Sequence, residues 1–130
     1  MLDSAHIAAI VPVSDIEAAI EFCEGKLGLR LDRRRDALPQ DRAAELSAGS
    51  GSLLLYASVG AGKSRDTIAG FRVGDLDSLV AALRERSVVF EEYDLPEVKT
   101  EGGIVAVGEA RAAWCKDPEG NILAVASAGR

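Results

Sequence analysis

Cysteine is scarce in this sequence of 130 residues, which contains only Cys23 and Cys115. Neither a disulfide framework nor a paired-cysteine metal knuckle can be drawn from two such distant residues. A chain that does without disulfides fits a reducing compartment, so we predict a cytoplasmic protein.

Excess positive charge and long apolar runs are also lacking. The formal net charge is −6 at pH 7, which argues against nucleic acid as a partner because phosphate-backbone binding depends on clustered Lys and Arg. No apolar run reaches the length of a membrane span, and residues 1–6 show no basic segment that leads into an apolar one. We therefore expect a protein that is neither secreted nor embedded in a membrane.

A duplicated pattern is present. Residues 13–20 (VSDIEAAI) resemble residues 73–80 (VGDLDSLV), and each copy follows an apolar stretch with the character of a strand. Each copy also opens a helix. Ser14 and Glu17 form a capping-box pattern before the first helix, which Gly28 ends, and Asp75 caps the second. The repeat predicts two modules, at 1–60 and 61–130, within one domain that spans 1–130.

Three further stretches after each helix have the character of strands. They are 29–33, 43–48 and 52–57 in the first module, and 88–93, 110–116 and 121–126 in the second. The predicted order is βαβββ twice, which is an α+β fold. The least regular segments are 36–42, 57–66 and 97–103, and the middle one is expected to join the modules.

Three motifs give the chain a family resemblance. They are VSD at 13–15 leading into Phe22 and Leu27-Gly28, FRVGDL at 71–76, and WCKDPEGN at 114–121. Together they resemble the vicinal oxygen chelate superfamily of glyoxalases, extradiol dioxygenases and bleomycin-resistance proteins. The resemblance implies two βαβββ modules that curve into a half-barrel around a cavity. It also implies a divalent metal in many members, held by four side chains, two from each module.

The sequence departs from the family at the positions of those metal ligands. The first position falls on Ala8 and not on His6, and the corresponding position of the second module falls on Ile68. The remaining positions fall on Ala124 and within Leu53–Leu55. None of these side chains coordinates a metal, and His6 alone cannot supply the three or four ligands that a catalytic metal needs. We therefore predict no metal, no other cofactor and no catalytic residue.

The residues expected to contact a ligand are His6, Tyr56, Tyr93 and Trp114. His6 shares a strand face with Ala8, the face that lines the cavity in the family. The three aromatic residues lie near the ends of predicted strands, where a ring stacks on a ligand while its OH or NH group bonds it. For His6 the alternative is an exposed residue without function, and for the aromatic residues it is packing in a core or dimer interface.

Three other features have simpler structural interpretations. Residues 57–64 (ASVGAGKS) match a relaxed phosphate-binding loop, but a strand is predicted after them where such a loop requires a helix. Cys115 has no neighbouring His or cationic cluster in the sequence to activate a thiol. The basic run 33–35 and the acidic run 91–94 are expected to be solvated edges, although the acidic run also favours a cationic ligand.

The function that the resemblance implies is small-molecule binding, as in the metal-free, bleomycin-resistance-like branch of the family. The ligand is expected to be an apolar or aromatic molecule, either an antibiotic or a metabolite, and members of that branch generally form homodimers. The alternative is a lyase, isomerase or dioxygenase-type enzyme with a non-standard site, in which His6 or Glu92 acts as the base. The third hypothesis is a purely structural or protein-binding module.

Overall fold

The computed structural model describes residues 1–127, which fall into two compact units. The first unit contains Met1–Lys63 together with Pro118–Asn121, and the second contains Ser64–Asp117 and the described chain from Ile122 onward. The turn at 118–121 therefore packs with the first unit, although the strands on either side of it belong to the second.

The first unit is a four-stranded sheet with a helical segment on one face. Its elements are β1 (Ala8–Val13), α1 (Ile16–Ile20), a π-helix (Glu21–Lys26), β2 (Arg30–Arg35), β3 (Ala43–Ala48) and β4 (Gly51–Ala57), with short 3-10 turns at Leu2–Ser4 and Pro39–Asp41. The strand order is β1-β4-β3-β2. β1 and β4 run parallel, and the other neighbours run antiparallel.

Alternation of buried and exposed residues defines the two faces of this sheet. The strand residues buried beneath the helical segment include Val11, Val13, Leu46, Leu53 and Leu55. The helical segment contributes Ile16, Ala19, Ile20, Phe22 and Cys23 to the same core. Because successive strand residues point to opposite faces, the residues between the buried ones form a second, open face.

The first helix begins one residue later than the capping-box pattern predicts. Asp15 is the N-cap, and its side chain accepts a hydrogen bond from the Ala18 backbone N–H. The Ser14 hydroxyl instead donates to Glu119, and Glu17 pairs with two arginines. The predicted capping box is therefore wrong, because both of its side chains find stronger charged or tertiary partners.

The second unit repeats the first. Its elements are β5 (Thr67–Arg72), α2 (Leu76–Glu85), β6 (Ile104–Val107), β7 (Ala110–Lys116) and β8 (Ile122–Ser127). The strand order β5-β8-β7-β6 matches that of the first unit, and Asp75 caps α2 as predicted. The predicted α+β fold with two tandem βαβββ modules is confirmed.

One predicted strand is wrong. Residues 88–93 form no strand in the described chain, and the edge of the second sheet is β6 instead. Val88 and Phe90 are buried, but only Phe90 makes a bridge, to Cys115. The alternation at 88–90 therefore reflects anchoring in the core. The chain then forms an irregular hairpin, residues 91–103, before β6 begins at Ile104.

No helix within residues 1–127 is long and apolar enough to cross a membrane.

Candidate functional site

His6 and Tyr56 lie on the open face of the first sheet. The strand register places Ala8, Ile10 and Pro12 opposite Ser52, Leu54 and Tyr56. His6 Nε2 lies 2.9 Å from the Ser52 hydroxyl oxygen, within hydrogen-bond distance. Tyr56 is four residues further along β4 and so about 13 Å from Ser52 along the strand. The two predicted contact residues share a face but do not touch.

The same face carries two of the positions that hold metal in the family. Of the three leucines predicted to include the second position, Leu54 lies on the face of Ala8, whereas Leu53 and Leu55 are buried beneath the helix. Ile68 and Ala124 occupy the corresponding positions of the second unit. All four side chains are hydrocarbons without a donor atom. Within residues 1–127 no three His, Cys, Asp or Glu side chains are grouped to hold a metal ion.

Trp114 lies on the face of the second sheet that points away from α2. Its neighbours in β7, Ala113 and Cys115, are buried on the opposite face. Ala124 is opposite Trp114, and Gly70 is opposite Ala124 on the far side. Because Ala124 has a small side chain and Gly70 has none, the indole ring of Trp114 projects further from the sheet than its neighbours on this face.

Tyr93 packs against Trp114. The ring centroids are 5.5 Å apart and the planes make an angle of 78°, an edge-to-face arrangement. Burial raises the pKa of Tyr93, and the charge of Glu91 adds to the effect. The phenol therefore stays protonated near neutral pH and retains a hydroxyl donor.

A cavity of about 460 Å³ opens beside Tyr93. Its lining is provided by Glu92, Tyr93, Asp94, Lys99, Thr100 and Glu101. The volume is in the range of pockets that hold small organic molecules. All of these residues belong to the irregular hairpin that precedes β6.

Thr100 holds the two sides of this hairpin together. The Tyr93 backbone N–H donates to Thr100 Oγ1 at 2.8 Å, and the Thr100 backbone N–H donates to the Tyr93 carbonyl at 2.9 Å. The Thr100 hydroxyl in turn donates to Glu92 at 2.5 Å. This bond, with further help from the Gly103 N–H and the charge of Arg84, lowers the pKa of Glu92. Glu92 is therefore a weaker base than an ordinary glutamate.

Arg84 of α2 anchors the end of the hairpin. Its Nη2 donates to the Gly102 carbonyl at 2.5 Å, and its guanidinium lies 5.6 Å from the centre of the Phe90 ring. Gly103 follows with φ of 82°, and a Cβ there would lie 2.9 Å from the Phe90 Cβ. The hairpin therefore requires glycine at this close approach.

Cys115 is not a reactive thiol. Burial raises its pKa to about 11, with smaller contributions from Asp117 and Glu91. Because the thiolate is the nucleophile, a protonated buried thiol is inert near neutral pH. The structural interpretation from the sequence fits this environment.

The glycine-rich segment at 57–64 is not a phosphate-binding loop. It leads into β5, a strand, and not into a helix whose N-terminal amides would hold phosphate. The Gly62 N–H donates to the side chain of Asn121 at 3.3 Å. A Cβ at Gly62 would lie 2.0 Å from the Glu119 carbonyl oxygen, so close packing against the turn at 118–121 accounts for this glycine.

Two of the four predicted contact residues are therefore brought together. Tyr93 and Trp114 touch in the second unit, whereas His6 and Tyr56 lie apart in the first. The sequence reasoning did not find Lys99, Thr100, Glu101 or Arg84. Lys99, Thr100 and Glu101 lie within the irregular segment 97–103, and Arg84 lies in α2. These residues come together through hydrogen bonds of the Thr100 and Gly102 backbone, which the sequence pattern does not indicate.

The fold is that of a protein built from paired βαβββ units, and comparison with known families agrees. The model of the Glyoxalase/Bleomycin resistance protein/Dioxygenase superfamily matches residues 4–125. The chain belongs to this superfamily. The predicted family is thereby confirmed.

Solved structures of similar proteins share the fold. TnmS3, an antibiotic-binding protein from Streptomyces sp. CB03234, is 24% identical with a TM-score of 0.74, and the match covers 98% of both chains. A glyoxalase/bleomycin resistance protein/dioxygenase from Alicyclobacillus acidocaldarius is 22% identical with a TM-score of 0.70, covering 95% of this chain and 91% of that one. No curated protein matches the sequence.

Proposed function

We propose that this protein binds a small apolar or aromatic molecule, an antibiotic or a metabolite, and does so without a metal. The observation that carries the proposal is the contact between Tyr93 and Trp114 beside the cavity of the second unit. Aromatic rings contribute large apolar contact area at a low cost in side-chain entropy, which suits them to hold a flat ligand.

Two further observations support binding over metal-dependent catalysis. The family's ligand positions carry Ala8, Leu54, Ile68 and Ala124, which have no donor atoms. Glu92, one of the two residues considered as a base for an enzyme, is tied to Thr100 and has a lowered pKa. Similarity to a structure described as an antibiotic-binding protein agrees with this proposal, although a fold by itself does not define a function.

We also propose that the protein works in the cytoplasm as a homodimer. On the open face of the first sheet Ile10 is 58% exposed and Tyr56 is 37% exposed. A second copy of the chain would remove this apolar surface from water. Analytical ultracentrifugation of the wild type and of Ile10→Lys is the test. A dimer that dissociates in the variant supports the proposal, and a wild-type monomer contradicts it.

Isothermal titration with bleomycin and with acridine, a neutral flat aromatic compound, tests the binding function. We expect one or both to bind the wild type, and Tyr93→Ala to weaken that binding about tenfold by removing one wall of the site. Trp114 is the only tryptophan, so its fluorescence reports occupancy independently in both proteins.

Val89→Ala is the matched control because it also truncates a side chain near the hairpin. Val89 is 75% exposed and is not part of the cavity lining, so binding should be unchanged. The proposal fails when neither compound binds the folded wild type, or when Tyr93→Ala and Val89→Ala bind equally well.

A further inference from the structure

We infer that the cavity of the second unit selects a ligand whose aromatic body carries a positive charge, such as a protonated amine. This inference rests on the proposed function and deepens it by naming the charge of the ligand.

The charges on the lining of the cavity are unequal. Glu92, Asp94 and Glu101 place three carboxylates there against the single ammonium group of Lys99, which leaves two negative charges. A cation that approaches this cavity is therefore attracted by the unbalanced charge of the lining.

Lys99 neutralises little of this charge. Its nearest carboxylate oxygen, on Asp94, is 3.6 Å away, and the two side chains are 77% and 88% exposed. An ion pair this exposed is held weakly because water competes for both groups. An incoming cation can displace the ammonium group from Asp94 at small cost.

Glu92 differs from the exposed Lys99 and Asp94, because its carboxylate is held in place by hydrogen bonds. The Thr100 hydroxyl donates to it at 2.5 Å, and the same Thr100 oxygen accepts from the Tyr93 backbone N–H. The charge of Glu92 is thereby fixed next to the aromatic residue that lines the cavity. A preorganised charge contributes more to binding than a mobile one, because it need not be ordered when the ligand arrives.

Tyr93, which lines the cavity and is held at its ring by Trp114, adds a second attraction for a cation. The face of an aromatic ring carries negative potential, which attracts ammonium groups. A neutral aromatic ligand would gain ring contacts alone. A cationic one would also gain the carboxylates, and an anionic one would be repelled by them.

Three acridines with nearly the same flat body and different charge test the inference at pH 8. They are 9-aminoacridine, a cation, acridine, which is neutral, and acridine-9-carboxylate, an anion. Isothermal titration of the full chain should give the order cation, neutral, anion, with the cation about tenfold tighter than acridine at low salt. High NaCl should shrink this difference, because salt screens exposed charges.

The double variant Asp94→Asn/Glu101→Gln removes two carboxylates without changing side-chain size and leaves Glu92 in place. We expect 9-aminoacridine to bind about three- to tenfold more weakly to it and acridine to change by less than about twofold. Glu85→Gln/Glu109→Gln removes the same number of charges from exposed positions outside the lining. This control should bind all three compounds as the wild type does.

The outcomes separate the charge preference from the binding function. If acridine or its carboxylate binds as tightly as 9-aminoacridine, the charge preference is overturned while the binding function stands. Equal losses in the two double variants also overturn it, because the effect would then come from net charge and not from the cavity. If 9-aminoacridine does not bind, the inference fails, and titration with bleomycin decides whether binding survives.

Discussion

The Ser14 hydroxyl donates a hydrogen bond to the Glu119 carboxylate at 2.8 Å, although the two residues are 105 positions apart in the chain. Glu119 also accepts from the backbone N–H of Asp15 at 2.8 Å. The carboxylate therefore sits at the start of the first helix, where negative charge is favourable. The turn at 118–121, part of one of the three motifs behind the family resemblance, thus has a structural role within the first unit.

Removing this charge should destabilise the protein. Burial raises the pKa of Glu119, but the hydrogen bonds from Asp15 and Ser14 outweigh it, so the net pKa is lowered. Its stabilisation is thus present above the pKa of the unfolded chain and is lost as the pH falls through the lower folded value. We expect Glu119→Gln to lower the free energy of unfolding by about 1 kcal/mol at pH 7, measured by urea denaturation.

The difference in the free energy of unfolding between Glu119→Gln and the wild type should become smaller in acid, where both side chains are neutral. Glu85→Gln, at an exposed position of α2, controls for the loss of a charge. Equal unfolding midpoints for Glu119→Gln and the wild type at pH 7 would contradict the proposed role of this carboxylate.

Gly103 should tolerate substitution far less well than its neighbour Gly102. Both have positive φ, 82° and 60°, so alanine is strained at either position. A Cβ at Gly103 would also meet Phe90 at 2.9 Å, whereas one at Gly102 would meet nothing within 4 Å. We expect Gly103→Ala to cost at least about 1 kcal/mol more than Gly102→Ala, by thermal or urea unfolding. Similar losses would show that the contact with Phe90 yields easily.

Four charged side chains on the first unit form a closed network. Arg34 and Arg42 each pair with both Glu17 and Asp36. The arginine side chains, through their hydrogen bonds, lower the pKa of both carboxyl groups. Arg34 of the basic run is therefore paired, in contrast to the solvated edge that the sequence suggested.

This network should make stability depend on salt and on acid. Because the folded pKa values of Glu17 and Asp36 are lowered, their stabilisation is lost as the pH falls through those values. We expect Glu17→Gln to lower the unfolding midpoint at low salt. In high NaCl the midpoints of the variant and the wild type should lie closer together. A difference that does not change with salt would indicate that packing, not charge, explains the loss.

Cys115 should resist thiol reagents in the folded protein. With a pKa raised to about 11, almost none of it is thiolate at pH 8, and Cys23 is buried as well. Reaction with Ellman's reagent should be slow in buffer and rapid in guanidinium chloride. Cys23→Ser leaves Cys115 as the only thiol, and rapid reaction of that folded variant would contradict the burial of Cys115.

Metal should not be needed for folding or binding. Elemental analysis of protein purified without chelators or a metal-binding tag is expected to show less than stoichiometric metal. EDTA should leave the melting temperature and the affinity for ligand unchanged, because Ala8, Leu54, Ile68 and Ala124 have no donor atoms. Stoichiometric metal that is lost together with stability would refute the metal-free proposal and point to other ligands.

Periodicity in the sequence was enough to predict most of the fold. Strands 43–48 and 110–116 agree with β3 and β7 to the residue, and the repeated helix starts led to the correct order of elements in both units. Hydrophobic alternation in these strands and the Asp75 cap of α2 depend on neighbouring residues, so they could be predicted from the sequence. The prediction that residues 1–130 form one domain stays a prediction.

What the tertiary structure decided was which distant residues meet. Residues 88–93 alternate like a strand, yet they pair with β7 only through the bridge from Phe90 to Cys115 and the hydrogen bond from the Glu91 N–H to the Trp114 carbonyl. The edge position of the sheet belongs to Ile104–Val107. Similarly, the partner of Ser14 is Glu119 and not Glu17. Which strand pairs at the sheet edge and which side chain bonds Ser14 depend on competition between contacts that are far apart in the sequence. The same is true of the pairing of Tyr93 with Trp114, which the sequence offered only as two separate aromatic residues.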